Sequence, residues 1–367
     1  MLFGKKFNLV GLDIGSRTIK AGEVVETKNG PTLKSFGSID IPPGAIDEGN
    51  ITDPALVADS IRRLFKKFGI KESNSAVSIG GYSVIVKKIT VQSMEEEELQ
   101  DIINMEAEQY IPFDIADVNL DFQILGENEH NPNQMDVLLV AAKKEMINEY
   151  VQLIQMAKLN PCVIDFDAFA LQNIYEKAYL PEAQWKGAES QDPSGGEDEE
   201  SIALIDIGAS KTSLNILKDR SSVFMRNVSL GCGQINQKIM QMIECTPEKA
   251  EDLKFAPDPE GISAEDLKEI ISSVVADWCA EIRRALDFFY STYPDDHVQK
   301  IILSGGGGNI PEFRELLAVE VSADVETINP FAGLYIDPDK FDLDYIQRMA
   351  PQAAICMGLA LRKVDDK

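Results

Sequence analysis

Along the chain, hydrophobic positions gather into short unbroken runs that stop at glycine, set between longer stretches with helical spacing. Leu9-Val10-Gly11-Leu12-Asp13-Ile14-Gly15-Ser16-Arg17-Thr18 is one such run. Ile202-Ala203-Leu204-Ile205-Asp206-Ile207-Gly208-Ala209-Ser210-Lys211-Thr212 repeats it near the middle. A wholly apolar run of this length predicts a strand buried on both faces. The glycine then allows a tight turn, and the hydroxyl residues place donors beside exposed backbone N–H groups. An Asp at the strand's end can orient a magnesium ion, or its waters, against phosphate oxygens. A buried strand ending at a turn explains either copy alone. Two copies facing each other would grip a phosphate chain from both sides. The second turn, through Ser210-Lys211-Thr212, reads as one residue longer than the first, which predicts that the two are not identical.

A third apolar strand, Ile301-Ile302-Leu303-Ser304, runs into Gly305-Gly306-Gly307-Gly308-Asn309-Ile310-Pro311. Glycines let the backbone approach a flat or anionic ligand, and Pro311 suits the first position of a helix over Glu312–Leu317. Ala353–Ala360 is a helix of small residues suited to close packing at a hinge. Elsewhere, Asp53-Pro54 starts a helix that Gly69 ends, with Leu56, Val57, Ile61, Leu64, Phe65 and Phe68 at helical spacing. Ala76–Ile79 and Ser83–Val91 read as strands. Ser93 with Glu96 predicts a capping box for a helix through Ile111, stopped by Pro112. Leu120, Phe122 and Ile124 alternate, then a turn over 128–134 and the apolar run Met135–Ala142 complete a hairpin. A helix over Lys143–Leu159 follows. Residues 234–293 are helix-rich, with Trp278 expected in their core. Asp165 and Asp167 alternate on an expected strand, so at most one can face a cleft. The stretch 185–200 lacks apolar periodicity and reads as a mobile acidic loop.

Composition narrows the function classes. A net charge of −26 over 367 residues argues against nucleic-acid binding and against direct adsorption on anionic lipid. No stretch approaches the roughly 20 apolar residues that span a bilayer, and the N-terminal run is broken by Asp13, so no signal core is expected. Five scattered cysteines without CxxC spacing read as buried small hydrophobes in a reducing cytoplasm. His130 and His297, the only histidines, both look like loop residues, which excludes a His-based triad or a structural zinc site.

Taken together, the paired Asp-Ile-Gly turns, the Ser304–Pro311 turn and the Glu251-Asp252-Leu253-Lys254 step resemble the actin, Hsp70 and sugar-kinase superfamily, in which two related halves close on ATP. Gly11-Leu12-Asp13-Ile14-Gly15-Ser16, the stretch Glu106-Ala107-Glu108-Gln109-Tyr110-Ile111-Pro112-Phe113 and Asp167-Ala168-Phe169-Ala170-Leu171 are similar more narrowly to the PilM family of type IV pilus assembly, FtsA-like members of that superfamily. The resemblance implies an α/β, actin-like two-lobed fold of repeated ribonuclease H-like halves carrying an FtsA-type insert called 1C. The boundaries it implies are 1–82 (1A), 83–160 (1C-like), 161–185 (return to 1A with a connecting segment) and 186–200 (the acidic loop). The second lobe follows as 201–235 (2A), 236–295 (2B-like) and 296–350 (2A with the adenosine motif), before a C-terminal helix over 351–367.

For ligands, the resemblance implies ATP or ADP with Mg2+. Its phosphates would meet Gly15, Ser16, Arg17, Thr18 and Lys20 in the first turn, and Gly208, Ser210, Lys211 and Thr212 in the second. Gly231 and Gly233 would lie nearby, Glu251 and Lys254 would meet the sugar or base edge, and Gly305, Gly306, Gly307 and Asn309 would back the adenosine. Asp13 and Asp206 would hold the metal through water. Arg17 stands where small residues are common, so its side chain must point aside or touch phosphate. Hydrolysis needs a group that positions water; Asp206, Asp165 and Asp167 are the candidates, and turnover is expected to be slow if present.

The resemblance further implies a cytoplasmic scaffold that binds the N-terminal cytoplasmic peptide of a PilN-like inner-membrane protein, with nucleotide state coupled to that contact. Other pilus components and self-association stay open as partners. The alternatives are an FtsA-like division filament, which wants an amphipathic C-terminal anchor where this chain reads Arg362-Lys363-Val364-Asp365-Asp366-Lys367, and a small-molecule kinase, which wants a catalytic base and an acceptor pocket.

Overall fold

The computed structural model describes residues 8–47, 49–128, 131–179, 201–254 and 261–364. The acidic loop and His130 lie outside the described residues. Two five-stranded sheets repeat one topology. In the first, β1 (Val10–Ile14) pairs antiparallel with β2 (Thr18–Thr27), which pairs with β3 (Gly30–Asp40). A two-stranded ribbon, β4 (Ile46–Asp47) with β5 (Asn50–Ile51), precedes α1 (Pro54–Phe68). On its other side β1 runs parallel to β6 (Asn74–Ile79). The helix α1 begins and ends where predicted: the Asp53 side chain accepts from the Leu56 N–H at 3.0 Å, and Gly69 closes it in the left-handed conformation at φ 65°.

A separate three-stranded sheet follows, in which β9 (Asn131–Lys143) lies between β7 (Val84–Gln92) and β8 (Val118–Asn128). The helix α2 (Glu96–Ala107) covers it, and Leu99, Ile103 and Ala107 are buried against Ile89, Val91, Val137 and Leu139. The predicted capping box does not form. Ser93 gives its backbone N–H to the Asn133 carbonyl at 2.9 Å, α2 starts at Glu96 without a side-chain cap, and it ends at Ala107 rather than Ile111. The helix α3 (Lys144–Met156) leads to β10 (Asn160–Phe166), which joins the first sheet beside β6.

The strand β10 stops at Phe166 and Asp167 opens α4 (Asp167–Tyr179). Asp165 and Asp167 therefore diverge because the strand ends between them, not because they alternate on one. Asp165 pairs with Arg362 at 3.4 Å, away from the cleft.

In the second lobe β11 (Ser201–Ile207) pairs antiparallel with β12 (Thr212–Lys218), and β12 with β13 (Ser221–Val228). Next come α5 (Gly233–Ile243), α6 (Pro247–Lys254) and the long α7 (Ala264–Thr292). The strands β14 (Val298–Gly305) and β15 (Asp324–Thr327), with α8 (Pro311–Val321) between them, complete the sheet in parallel. The strand orders, β10-β6-β1-β2-β3 and β15-β14-β11-β12-β13, are the same pattern twice. Trp278 is buried in the second core, where its indole N–H donates to Gln234 Oε1 at 2.8 Å, so its polar edge is satisfied.

After α9 (Leu343–Met349), the small-residue helix α10 (Ala354–Ala360) crosses back to the first lobe. It packs on β1 and α4 at backbone distance. A Cβ added at Gly11 would overlap the Cys356 carbonyl, and one at Gly358 would overlap that of Ala170. A third core, with Ala170, Leu171, Leu204, Ile302 and Met357, joins the two sheets here. That shared core fixes where the two lobes face each other.

Candidate functional site

The two repeated turns share one hydrogen-bond frame. Gly15 N–H donates to the Thr18 carbonyl at 3.1 Å, and Gly208 N–H donates to the Lys211 carbonyl at 2.9 Å. Ile14 faces Ile19 across one turn as Ile207 faces Thr212 across the other. The expectation of a longer second turn is thus corrected: both bridge the same number of residues, because the ladder that closes them is the same. Glycine is required where the turns crowd other backbone. Cys232 N–H donates to the Gly208 carbonyl and Gly233 N–H to the Ala209 carbonyl, at 3.0 and 2.8 Å. A Cβ at Gly231 or Gly233 would come to 2.5 or 2.9 Å from the Ala209 carbonyl oxygen.

The lobes bring these turns face to face around a cavity of about 530 Å3. Ser16 Oγ and Ser210 Oγ are 2.9 Å apart across it. Lys211 from the second lobe donates to Asp167 of the first at 2.7 Å, and Ser78 donates to the other Asp167 oxygen at 2.6 Å. Arg17 reaches across the cleft, with its Nε 3.7 Å from Glu251 on α6. Three cross-lobe contacts therefore span the cleft.

The two strand-end carboxylates sit in different surroundings. Asp13 accepts from buried Lys20 at 2.8 Å. Burial alone would lower the Lys20 ammonium, but Asp13's charge and hydrogen bond hold it above its ordinary value. Asp206 accepts from the Ser304 hydroxyl at 2.8 Å, and Ser304 also lies 3.2 Å from the Pro351 carbonyl. Burial, with Asp13 and Asp167 nearby, pushes Asp206 up to about 6 against the weaker help of Ser304 and Lys20. Desolvation would lower Lys211 too, yet Asp167 raises it. At the far end, burial would raise Glu251, but Lys254 at 2.8 Å, the Asn236 amide at 2.6 Å and Arg17 hold it low. Burial lifts the Cys232 thiol to about 11, so it stays protonated and inert at neutral pH.

Asp13, Gly15, Ser16, Arg17, Thr18, Lys20, Asp206, Gly208, Ser210 and Lys211 all line the cavity. So do Gly233, Glu251, Lys254, Gly305, Gly306 and Asp167. Gly305 holds φ 78°, and a Cβ there would meet Asp206 Oδ1 at 2.9 Å, so only glycine lets this turn lie behind the carboxylate. Four expected contacts are not in the lining. Thr212 is buried and donates to the Leu230 carbonyl at 3.0 Å. Gly231 lies against Ala209, Gly307 packs on Ile207, and Asn309 donates to the Arg348 carbonyl at 3.3 Å.

Ser78, Gly80, Tyr150 and Asn236 line the cavity without having been expected there. The run Val77-Ser78-Ile79-Gly80-Gly81, another apolar strand meeting glycine, carried a signal for the first two; Tyr150 and Asn236 sit on ordinary amphipathic helices and carried none. Among the described residues no group of three or more His, Cys, Asp or Glu side chains gathers as a metal cluster. No helix among them is long and apolar enough to cross a membrane.

Residues 11–364 match the family model described as type IV pilus assembly protein PilM. A solved structure titled PilM–PilN type IV pilus biogenesis complex superposes at a TM-score of 0.81 with 27% identity, covering 98% of this chain and 100% of that one. The ethanolamine utilization protein EutJ from Carboxydothermus hydrogenoformans superposes at 0.56 with 11% identity, over 96% of this chain and 89% of its own. The EutJ likeness is one of fold alone. Together with the duplicated strand order, these matches make the molecule an actin-like, two-lobed α/β protein, the class read from the sequence.

Proposed function

The chain belongs to the PilM family of type IV pilus assembly proteins, and from that premise we propose that it is a nucleotide-binding scaffold of the pilus machine. The observation that carries this reading is the 2.9 Å approach of Ser16 to Ser210, which sets two glycine turns on opposite sides of one cavity. A phosphate chain entering there exchanges that single hydroxyl contact for donors from both turns. Lys20 and Lys211 flank it with positive charge. ATP or ADP fits this donor set.

Mg2+ fits as well, because Asp13 and Asp206 are hard oxygen donors. They are too few to enclose a dry ion, so waters and phosphate oxygens would complete the shell. Bound there, the ion would offset phosphate charge. Asp167 faces the cavity, but Ser78 and Lys211 already engage both its oxygens. A carboxylate so occupied is a weak candidate for positioning water, which agrees with slow turnover at most.

The partner is the N-terminal cytoplasmic peptide of a PilN-like inner-membrane protein, with the compact segment around β7, β8 and β9 as the interaction module. The neighbour titled as a PilM–PilN complex supports a PilN-like partner. Through that peptide the chain is held at the inner face of the inner membrane. Closing two lobes on a ligand shifts their relative populations, which couples the cleft to the peptide.

The test is a fluorescent peptide of that segment, titrated against apo protein, Mg-ADP and a non-hydrolysable Mg-ATP analogue. Peptide affinity is expected to change several-fold between the apo and triphosphate states, and Asp206→Ala is expected to abolish the change. Equal affinity in every state, or coupling retained in the variant, counts against the clamp.

A further inference from the structure

The second lobe also touches the first outside the cleft, through the strand β13 at the edge of its sheet. At the start of that strand Ser222 donates to Gln172 Oε1 at 3.2 Å, and Arg220 pairs with Glu176 at 3.0 Å. Gln172 in turn donates to the Arg220 carbonyl at 2.7 Å. Gln172 and Glu176 stand one turn apart on α4, the helix whose Ala170 and Leu171 belong to the core shared by both lobes. Midway along β13, Met225 packs against the core of the first lobe. Asn227, two residues on, presents the same face. Its Nδ2 donates to the Gly81 carbonyl at 3.2 Å, and Ser229 Oγ lies 3.3 Å from the Tyr82 hydroxyl.

The two ends of β13 hold unlike things. The Ser222 end is tied to a helix that the shared core fixes. The Asn227 end holds the link over 80–83, where the chain leaves β6 and enters β7 of the inserted sheet. Gly81 takes φ 83°, and a Cβ there would meet nothing within 4 Å, so the turn itself demands the glycine. Tyr82 is 70% exposed, so its ring adds little packing and polar contacts hold the link. Exposed hydrogen bonds trade with water at small net cost, whereas core contacts do not. The Asn227 end is therefore the one that can let go. It also lies beside the cleft: in the ladder Val228 faces Thr212 and Asn227 faces Ser213, the residues that directly follow the second glycine turn. Movement of that turn carries Asn227 with it.

We propose that β13 is a strut that carries lobe movement to the inserted sheet. It pivots at α4, and its Asn227 end holds the root of β7 when the lobes close and releases it when they part. Its trigger rests on the nucleotide reading of the cavity.

The experiment is hydrogen–deuterium exchange of the full chain, with and without a saturating non-hydrolysable Mg-ATP analogue, in wild type and Asn227→Ala. Asn227 is outside the cavity lining, so calorimetry is expected to show wild-type affinity for the analogue in the variant. In wild type the analogue is expected to slow exchange in β7 about fivefold, the worth of one ordinary hydrogen bond. In Asn227→Ala it should bind and leave β7 unchanged. Exchange in α7, within the second core, should be the same in both proteins, which separates a lost strut from general loosening.

An analogue that binds and slows β7 equally in both proteins overturns the strut and leaves the nucleotide site standing. So does one that binds wild type and leaves its β7 unchanged. Wild type that binds no analogue overturns the nucleotide reading and the strut together. Should Asn227→Ala loosen α7 as well, Ser229→Ala replaces it, and its β7 should respond less to the analogue than that of wild type; an undiminished response overturns the strut.

Discussion

Asp13 and Asp206 end equivalent strands, enter equivalent turns and face the same cavity, yet they differ in what stands opposite. In the antiparallel ladder Asp13 faces Lys20, whereas Asp206 faces Ser213. A cross-strand neighbour on the same face decides whether a buried carboxylate keeps its charge. The first turn thus carries a closed ion pair at 2.8 Å, and the second carries a carboxyl held only by a serine hydroxyl and raised to about 6. The backbone duplicated and the electrostatics did not. The first Asp is closed in an ion pair with Lys20, and the second accepts from the Ser304 hydroxyl.

The largest expected effect comes from Asp13→Ala. It leaves the Lys20 ammonium buried without its counter-ion, which costs about 3–5 kcal/mol in broken buried pairs. Urea unfolding should show that loss, and a variant as stable as wild type would break the comparison.

Asp206→Asn should act in the opposite direction on the ligand-free protein. The folded-state value lies above the unfolded one, so ionisation disfavours the fold. Stability from this group is present at low pH and is lost as pH climbs from 3.8 through about 6. Removing the ionisable group should raise stability at pH 8 by on the order of 3 kcal/mol. The difference in Tm between variant and wild type should grow from pH 4 to pH 7, and a flat difference would contradict the assignment. Smallest is Ser210→Ala, which deletes one partly buried hydroxyl contact across the cleft and should cost under about 1 kcal/mol.

Much of this was legible in the chain. Strands buried on both faces announce themselves as unbroken apolar runs, so β1, β11 and β14 and their glycine turns could be placed from sequence. The i,i+3 pair Glu251–Lys254 also lies on one helix as its spacing requires. What stayed hidden depends on chain segments that meet only after folding. Ser16 and Ser210 are 194 positions apart, and the Arg17–Glu251 contact spans a similar gap. The length of the second turn was misread because Ala209-Ser210-Lys211 looks unlike Ser16-Arg17-Thr18, while the register is set by backbone pairs that carry no side-chain signature. The Ser93 cap failed for a related reason: its N–H was claimed by the hairpin at Asn133, a tertiary partner invisible to a four-residue pattern.

Calorimetric titration of a non-hydrolysable Mg-ATP analogue into wild type and Asp206→Ala tests the central claim most directly. Saturable one-to-one binding to the wild type and none to the variant is expected, with the variant's ligand-free Tm no lower than the wild type's at pH 8. Equal binding by both, or loss of binding only alongside loss of fold, would contradict it.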